Sequence, residues 1–304
     1  MYNLEQILKT HAVAMVKRGL FHRVILGCKK KPFKVFVSTF IAYAAIWTLL
    51  DPLLSMVSSA QKYFSGELKF FILVLVSSLI GLGKTALPGE ITLQYANSTI
   101  KVVFDDLFAS DGFKVVPVSR YFHEIEVIPT SLQNKIIQMF VQSAEGSKGS
   151  EAYEKSLSSA LQSTKYEEIY RPATNREEKY YPLGTTIPLG LNGDDYLLFA
   201  LTDTELKGYI PHDNCSVSKM WVALEIFWQN ARIHSRGSSL NIPLIGSGVT
   251  GIRLNQNQIL ELNLLSIANA IEEGGKITTE EIRIVLHSKY MEIIDLNDFQ
   301  DLWK

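Results

Sequence analysis

The chain has little cysteine, and this scarcity excludes a fold held together by disulfides. Its 304 residues contain two cysteines, Cys28 and Cys215, which lie far apart in unlike surroundings. Such usage fits a reducing compartment. A cleaved signal peptide is not expected either, because the basic region before the first apolar run is about thirty residues long and Asp51-Pro52 is not a small-residue cleavage site.

Recognisable catalytic and metal-binding patterns are also lacking. His212–Cys215 mixes possible ligands without a second ligand pair at zinc spacing, so we expect a loop there, with Ser216 capping the next helix. Gly83-Lys84-Thr85 imitates the end of a P-loop, but Ser78 replaces the first glycine and no strand precedes it. His123-Glu124 could act as base and acid, although a solvated loop is favoured. We therefore predict no catalytic residue, no metal and no cofactor.

Charge is absent from two apolar runs near the N-terminus. The first covers Val35–Leu50, between Lys34 and Asp51, and the second covers Phe70–Gly83, between Lys69 and Lys84. A bilayer core excludes charge, whereas flanking cations reach the headgroups. The first run extends to about 22 residues, enough for roughly 30 Å of hydrocarbon, and the second spans only if its lysines snorkel. We predict a transmembrane hairpin over residues 35–87; a core hairpin of a soluble protein is the alternative.

The charges divide the chain into unlike parts. Residues 1–34 carry eight cations against Glu5, a net charge of +7, which leaves −8 for the rest of the chain. The positive-inside rule then places both termini in the cytoplasm, with the basic segment against anionic lipid rather than nucleic acid. Small residues on both runs would permit close helix packing; they are Ser38, Thr39, Ala42, Ala44, Ala45, Thr48, Ser77, Ser78 and Gly81.

Residues 90–304 alternate between strand and helix patterns, which predicts one three-layer α/β domain with a mixed sheet. Apolar runs predict the strands, namely Ile91–Ala96, Ile100–Phe104, Lys114–Val118, Tyr196–Thr202, Leu240–Ile245 and Ile282–Leu286. Helical spacing predicts the helices, namely Ser131–Gln142, Glu151–Gln162, Ser216–His234 and Asn255–Glu273, with a turn at Glu145–Ser150. Arg171, Arg176 and Lys179 lie in a polar stretch that favours a solvated insertion, with closure over a ligand as the alternative.

The strongest candidate site is the glycine-rich sequence that follows the strand Leu240–Ile245. Its loop reads Gly-Ser-Gly-Val-Thr-Gly over Gly246–Gly251, and a helix begins after Leu254. Glycines let main-chain N–H groups converge into an anion-binding nest. Open α/β sheets bind ligands at the carboxyl ends of their strands. This loop therefore predicts a phosphate site, with a plain connection as the alternative.

The loop resembles the second phosphate loop of macrodomains, which bind ADP-ribose and related nucleotides. Phe104–Leu107 resembles the family's early Gly-Asp-Ile segment, which implies an adenine contact for Asp106. Ser131–Lys135 would be the pyrophosphate loop, and the resemblance extends over residues 98–295. It implies a ligand set of Asp106, Leu107, Val118, Ser119, Ser131, Leu132, Asn134, Lys135, Gly246, Ser247, Gly248, Val249, Thr250 and Gly251.

The match to the family is incomplete, and the family's glycine-rich first loop is absent from this sequence. Pro117 and Arg120 stand where hydrolytic macrodomains carry two asparagines, so the resemblance implies binding without hydrolysis. With the apolar runs, the chain resembles the membrane-anchored macrodomain effectors of Thoeris antiphage systems. That resemblance implies a bacterial inner-membrane protein that binds an ADP-ribose-derived signal made by a TIR-domain enzyme, forms homo-oligomers and disrupts lipid. A membrane-tethered ADP-ribosyl hydrolase and a passive ADP-ribose receptor are the alternatives.

Overall fold

The fold consists of two compact units, seen in a computed structural model. The structure describes residues 19–56, 67–122, 129–143, 147–171, 174–191, 193–207, 210–248 and 252–303. The first unit is Met1–Gly89 with Asp295–Asn297, and the second is Glu90–Ile294 with Asp298–Lys304.

The first unit contains a pair of antiparallel helices. Residues 19–30 are helical and are followed by α1 (Pro32–Met56) and α2 (Glu67–Lys84). Gly81 lies against Thr39, and a Cβ at Gly81 would stand 2.1 Å from the Thr39 Oγ1. Ala42 and Ser77 are buried in the same unit, whereas Ala44, Ala45 and Thr48 are exposed. Some of the predicted small residues thus serve packing within the chain.

The two helices of the predicted hairpin are present, but a membrane-spanning hairpin is not confirmed. Among the described residues, one stretch, Pro32–Pro52, is long and apolar enough to cross a membrane, and 6% of its most apolar window is buried. Helix α2 has 18 residues but carries Glu67, Lys69 and Lys84. Its uncharged run is therefore too short to qualify by composition alone.

The second unit is built on a mixed sheet. Its strands are β1 (Glu90–Tyr95), β2 (Ser98–Phe104), β3 (Phe113–Ser119), β4 (Glu167–Arg171), β5 (Arg176–Tyr180), β6 (Thr186–Leu191), β7 (Asp194–Lys207), β8 (Ile210–Asn214), β9 (Leu240–Pro243) and β10 (Glu281–Leu286). The main sheet has the order β1-β2-β10-β9-β3-β7-β6, with β8 paired to β7. Within this order, the five strands β2, β10, β9, β3 and β7 are parallel to their neighbours in that run. Strands β1, β6 and β8 are antiparallel to their partners.

Helices cover both faces of this sheet, as the three-layer prediction requires. They are α3 (Leu132–Ser143), α4 (Ser147–Leu161), α5 (Val217–His234), α6 (Gln256–Gly274) and α7 (Leu296–Leu302). Leu198 on β7 packs with α3 and α4, whereas its neighbour Phe199 meets Phe227 of α5 at a ring distance of 4.7 Å. Side chains alternate between faces along a strand, so the two contacts lie on opposite faces.

Several local predictions are wrong. Residues 210–214 form strand β8 rather than a loop, although Ser216 does cap α5 by accepting a hydrogen bond from the Lys219 N–H. Helix α4 begins at Ser147, inside the predicted turn. The polar stretch around Arg171 forms the hairpin β4–β5. By contrast, Gly83 and Lys84 end helix α2, in keeping with the rejection of a P-loop there.

Candidate functional site

The carboxyl ends of five parallel strands meet at one edge of the sheet, which we name the carboxyl edge. Strand β2 ends before Asp105, β10 before His287, β9 before Leu244, and β3 before Arg120. Strand β7 pairs with β3 in parallel and continues past it. In open α/β sheets, ligands bind at this edge.

The carboxyl edge brings together two residues that are far apart in sequence. The Asp106 carboxylate accepts a hydrogen bond from the Phe108 N–H at 3.1 Å and so caps the short 3-10 helix Leu107–Ala109. The same carboxylate lies 3.6 Å from the Lys135 Nζ, and both side chains are more than half exposed. Lys135 also lies over the Phe108 ring. Leu107 is buried and contributes to the core.

The start of α3 provides the next predicted residues. Ser131 Oγ accepts a hydrogen bond from the Asn134 N–H at 3.1 Å, and the Asn134 side chain donates to the Pro129 carbonyl at 2.9 Å. Both side chains thus hold the turn before the helix, and Leu132 packs against the core. First-turn N–H groups of a helix have no intrahelical acceptor and favour anions. Because the Asn134 N–H is already bound by Ser131, the donors that could hold a phosphate here are the preceding N–H groups of Leu132 and Gln133.

The glycine-rich loop has a constrained start and an open middle. Gly246 has a φ of +96°, and a Cβ there would lie 2.9 Å from the Met220 sulfur. Ser247 donates its hydroxyl to the Leu244 carbonyl at 2.6 Å. Gly248 is exposed, with no atom within 4 Å of where a Cβ would be. Val249, Thr250 and Gly251 lie outside the described residues.

The turn after β3 is fastened by internal bonds. Val118 packs in the core, and Ser119 is buried with its Oγ accepting from the Tyr121 N–H at 3.3 Å. The Arg120 N–H donates to the Thr202 carbonyl at 2.9 Å and the Phe122 N–H to the Ser119 carbonyl at 3.1 Å. These donors are therefore committed to the protein. His123 and Glu124 lie outside the described residues.

Arg120 belongs to a polar cluster that the sequence did not indicate. Its Nε donates to the Tyr181 carbonyl at 2.8 Å, and its guanidinium contacts the Tyr180 hydroxyl and Asp203. Tyr180 donates to Asp203 at 2.6 Å, and Lys219 donates to the same carboxylate at 2.7 Å. Burial would raise the pKa of Asp203, but hydrogen bonds from Lys219 and Tyr180 outweigh it and lower that pKa.

The hairpin β4–β5 is fixed to this cluster rather than solvated throughout. Arg171 is buried, pairs with Glu178 at 3.1 Å and donates to the Thr204 carbonyl at 2.8 Å. It also stacks on Tyr121. The prediction of a solvated insertion was therefore wrong for Arg171, whereas Arg176 and Lys179 are exposed. All three residues lie in one charged stretch, so the sequence does not distinguish the buried Arg171 from the exposed Arg176 and Lys179. Only the long-range contacts of Arg171 make that distinction.

We expect the change Glu178→Gln to lower the free energy of unfolding of the second unit by about 3 kcal/mol. Removing one partner of a buried ion pair leaves the other charge uncompensated, and both side chains are at least 90% buried. Urea titration followed by tryptophan fluorescence measures the change. The matched control is Glu177→Gln, on the exposed side of the same strand. An equal loss in both variants would contradict a specific role for the buried pair.

The same pair should make stability depend on acid. Burial raises the pKa of Glu178, but hydrogen bonds from Thr174, Arg171 and Arg176 outweigh it, so the folded-state pKa is lowered. A lowered folded-state pKa gives stability that is present above the unfolded-state pKa and is lost as pH falls through the folded value. The stability gap between wild type and Glu178→Gln should therefore shrink below about pH 4. A gap that grows in acid would contradict this.

The sequence comparison identifies the family. Residues 100–287, more than half of the chain, match the family described as Thoeris protein ThsA, Macro domain. The chain belongs to the ThsA macrodomain family. The strands that form the carboxyl edge, namely β2, β3, β7, β9 and β10, lie within this match except for the first two residues of β2. The prediction of a divergent macrodomain of Thoeris type is thus confirmed for this part of the chain.

Solved structures add the fold neighbours of this family member. The Oceanobacillus iheyensis macrodomain with ADP is 13% identical, with a TM-score of 0.43 over 70% of this chain and 96% of that one. The macrodomain of ganglioside induced differentiation associated protein 2 is 11% identical, with a TM-score of 0.39 over 67% of this chain and 81% of that one. No curated protein matches the sequence. Within the described ranges, no group of three His, Cys, Asp or Glu residues could hold a metal.

Proposed function

We propose that the second unit binds an ADP-ribose-derived nucleotide at its carboxyl edge. The observation that carries the proposal is the convergence of Asp106, the start of α3 and the glycine-rich loop at that edge, in a member of the ThsA macrodomain family. These elements are separated by up to about 140 residues in sequence, and parallel strand pairing brings their strands side by side.

Each element would recognise a different part of the nucleotide. The exposed Asp106 carboxylate accepts hydrogen bonds and suits the adenine amino group. The first-turn N–H groups of α3 and the main chain at Gly248 suit the diphosphate, since oriented N–H dipoles bind anions. Lys135, near the start of α3 and 3.6 Å from the Asp106 carboxylate, adds a positive charge. The group attached to ADP-ribose would project beyond the diphosphate.

The first unit would anchor the protein as a hairpin in the bacterial inner membrane, with both termini in the cytoplasm. The charge of Lys69, one of those that leave α2 with a short uncharged run, lies 3.2 Å from the Asp51 carboxylate and 4.7 Å from the centre of the Trp47 ring. Pairing lowers the cost of placing both charges near lipid. Apolar side chains of both helices also face outward, among them Phe36, Phe40, Ile41, Leu49, Phe71, Leu75 and Leu79.

Ligand binding would favour an assembled state of the anchored protein and so disrupt the membrane. A ligand shifts such an equilibrium only by its differential affinity for the two states. Because the membrane must stay intact when no signal is present, we expect the resting protein to be a monomer or a closed oligomer. A TIR-domain enzyme would supply the signal, in keeping with the Thoeris family. The partners are then the nucleotide, lipid and further copies of the chain.

We propose a receptor rather than an enzyme. Hydrolysis needs a positioned water and a general acid or base within reach of the ribose. By the resemblance, Arg120 stands where hydrolytic macrodomains carry an asparagine. Its side chain is held by Asp203 and the Tyr181 carbonyl. The N–H groups of the same turn are committed internally. These contacts support binding without turnover.

Dye leakage from liposomes that contain the purified protein tests the proposal, with a TIR-enzyme product mixture added or withheld. The same samples are assayed for nucleotide breakdown. Leakage with intact nucleotide is expected. Breakdown without leakage would favour the tethered hydrolase. Binding without leakage or breakdown would favour the passive receptor.

A further inference from the structure

The glycine-rich loop is held by two side chains from outside it. The Asn263 Nδ2 of α6 donates to the Ile245 carbonyl at 3.0 Å, directly before Gly246. The Tyr290 hydroxyl donates to the Ser247 carbonyl at 3.5 Å, directly before Gly248. Asn263 is fully buried and Tyr290 is 7% exposed. The loop is therefore anchored at the carbonyl before each of its first two glycines.

An anchored carbonyl fixes the direction of the next N–H. The peptide unit is planar and trans, so the C=O of one residue and the N–H of the following residue point in opposite directions. The bond from Tyr290 holds the Ser247 carbonyl toward the protein, so the Gly248 N–H points away from Tyr290. Gly248 is exposed and its surroundings are open. That N–H is therefore directed outward from the loop.

Tyr290 is itself held firmly at the end of the neighbouring strand. It lies in the 3-10 helix Ser288–Glu292, which follows β10, and β10 pairs with β9 in parallel. The His287 Nδ1 accepts from the Lys289 N–H at 3.1 Å, and the Tyr290 carbonyl accepts from the Ile294 N–H at 2.8 Å. The hydroxyl therefore reaches the loop from a rigid, buried ring.

We infer that Tyr290 is a positioning residue for the diphosphate subsite. Tyr290 does not contact the ligand. It orients the peptide group so that the Gly248 N–H already has the direction needed to bind an anion. Preorganised donors bind anions better than mobile ones because less conformational freedom is lost. The inference deepens the proposed function and rests on it.

The variant Tyr290→Phe isolates the hydroxyl because it keeps the buried ring. With the detergent-solubilised full chain and ADP-ribose as the probe, we expect calorimetric titration to give about threefold weaker binding, the worth of a long neutral hydrogen bond. Hydrogen exchange should also show that ADP-ribose protects the Gly248 amide less than in wild type. A general structural role would not confine its effect to that amide.

The matched control is Tyr95→Phe, which removes a hydroxyl that contacts Glu272. Tyr95 pairs with Ser98, the first residue of β2, and so lies at the opposite end of that strand from the carboxyl edge. The control variant's binding of ADP-ribose and its Gly248 protection should equal those of wild type. Unchanged affinity and protection in Tyr290→Phe would overturn the inference and leave the proposed function standing. Failure of the wild-type protein to bind ADP-ribose would instead refute the proposed function, and the inference with it.

Discussion

Replacement of Gly248 by glutamate is expected to weaken ADP-ribose binding at least about a hundredfold. The glycine is exposed beside open space, so a larger side chain fits without a clash. A carboxylate placed about 5 Å from a phosphate charge costs about 3 kcal/mol at an effective dielectric constant near 20, which corresponds to this factor. Calorimetric titration of the solubilised chain measures the affinity.

The neutral variant Gly248→Gln separates charge from size. It has the same shape as the glutamate and should bind ADP-ribose within about fivefold of wild type, since only a short-range steric effect remains. The unfolding temperatures of the two variants should agree with that of wild type. Equal affinity of Gly248→Glu and wild type would place the diphosphate elsewhere and refute the role proposed for this loop.

Local patterns were sufficient for the elements that build the carboxyl edge. The apolar run Tyr196–Thr202 indicates a buried strand, and the glycines of the loop after the strand that begins at Leu240 indicate backbone freedom. Both properties can be recognised in short segments. The strands and helices predicted there are confirmed, with shifted ends. The contact between Asp106 and Lys135 depends on the order of the strands in the sheet. The resemblance to macrodomains implied that order, whereas the hydrophobic periodicity did not.

The polar cluster and Tyr290 were missed because long-range contacts define them. Arg171 lies in a charged stretch that looks solvated, and only its packing against Tyr121 and Glu178 shows that it is buried. Tyr290 follows the last strand by four residues and has no local feature that indicates the loop it contacts. A single sequence carries no signal for either contact. Strand β8 was missed since its polar residues do not alternate with apolar ones.

The membrane prediction was limited in a different way. Lys69, together with Glu67 and Lys84, leaves α2 with a short uncharged run when that helix is considered alone. Its partner, Asp51, belongs to the other helix, so the pair becomes visible only when the two helices are placed together. Hydropathy of single segments therefore underestimates a hairpin whose charges are paired across it. Both membrane spans remain part of the proposal.

The change Gly81→Val should reduce ligand-dependent leakage at least about tenfold without altering ADP-ribose affinity. A Cβ at Gly81 would lie 2.1 Å from the Thr39 Oγ1 and 2.9 Å from the Thr39 nitrogen, so α1 and α2 would have to separate. Overpacking of this kind costs about 1–3 kcal/mol. The liposome assay gives the leakage and titration gives the affinity.

Gly83→Val provides the control for that change. It introduces the same side chain into the same helix, but no atom lies within 4 Å of the added Cβ, and Gly83 is exposed. Both variants add the same side chain to the last turn of α2, but only Gly81→Val brings that side chain against α1. If both variants leak like wild type, the close helix pair has no part in the response. If both lose ADP-ribose binding, the two units are not separable as ligand receptor and membrane anchor, and the proposed division of labour is wrong.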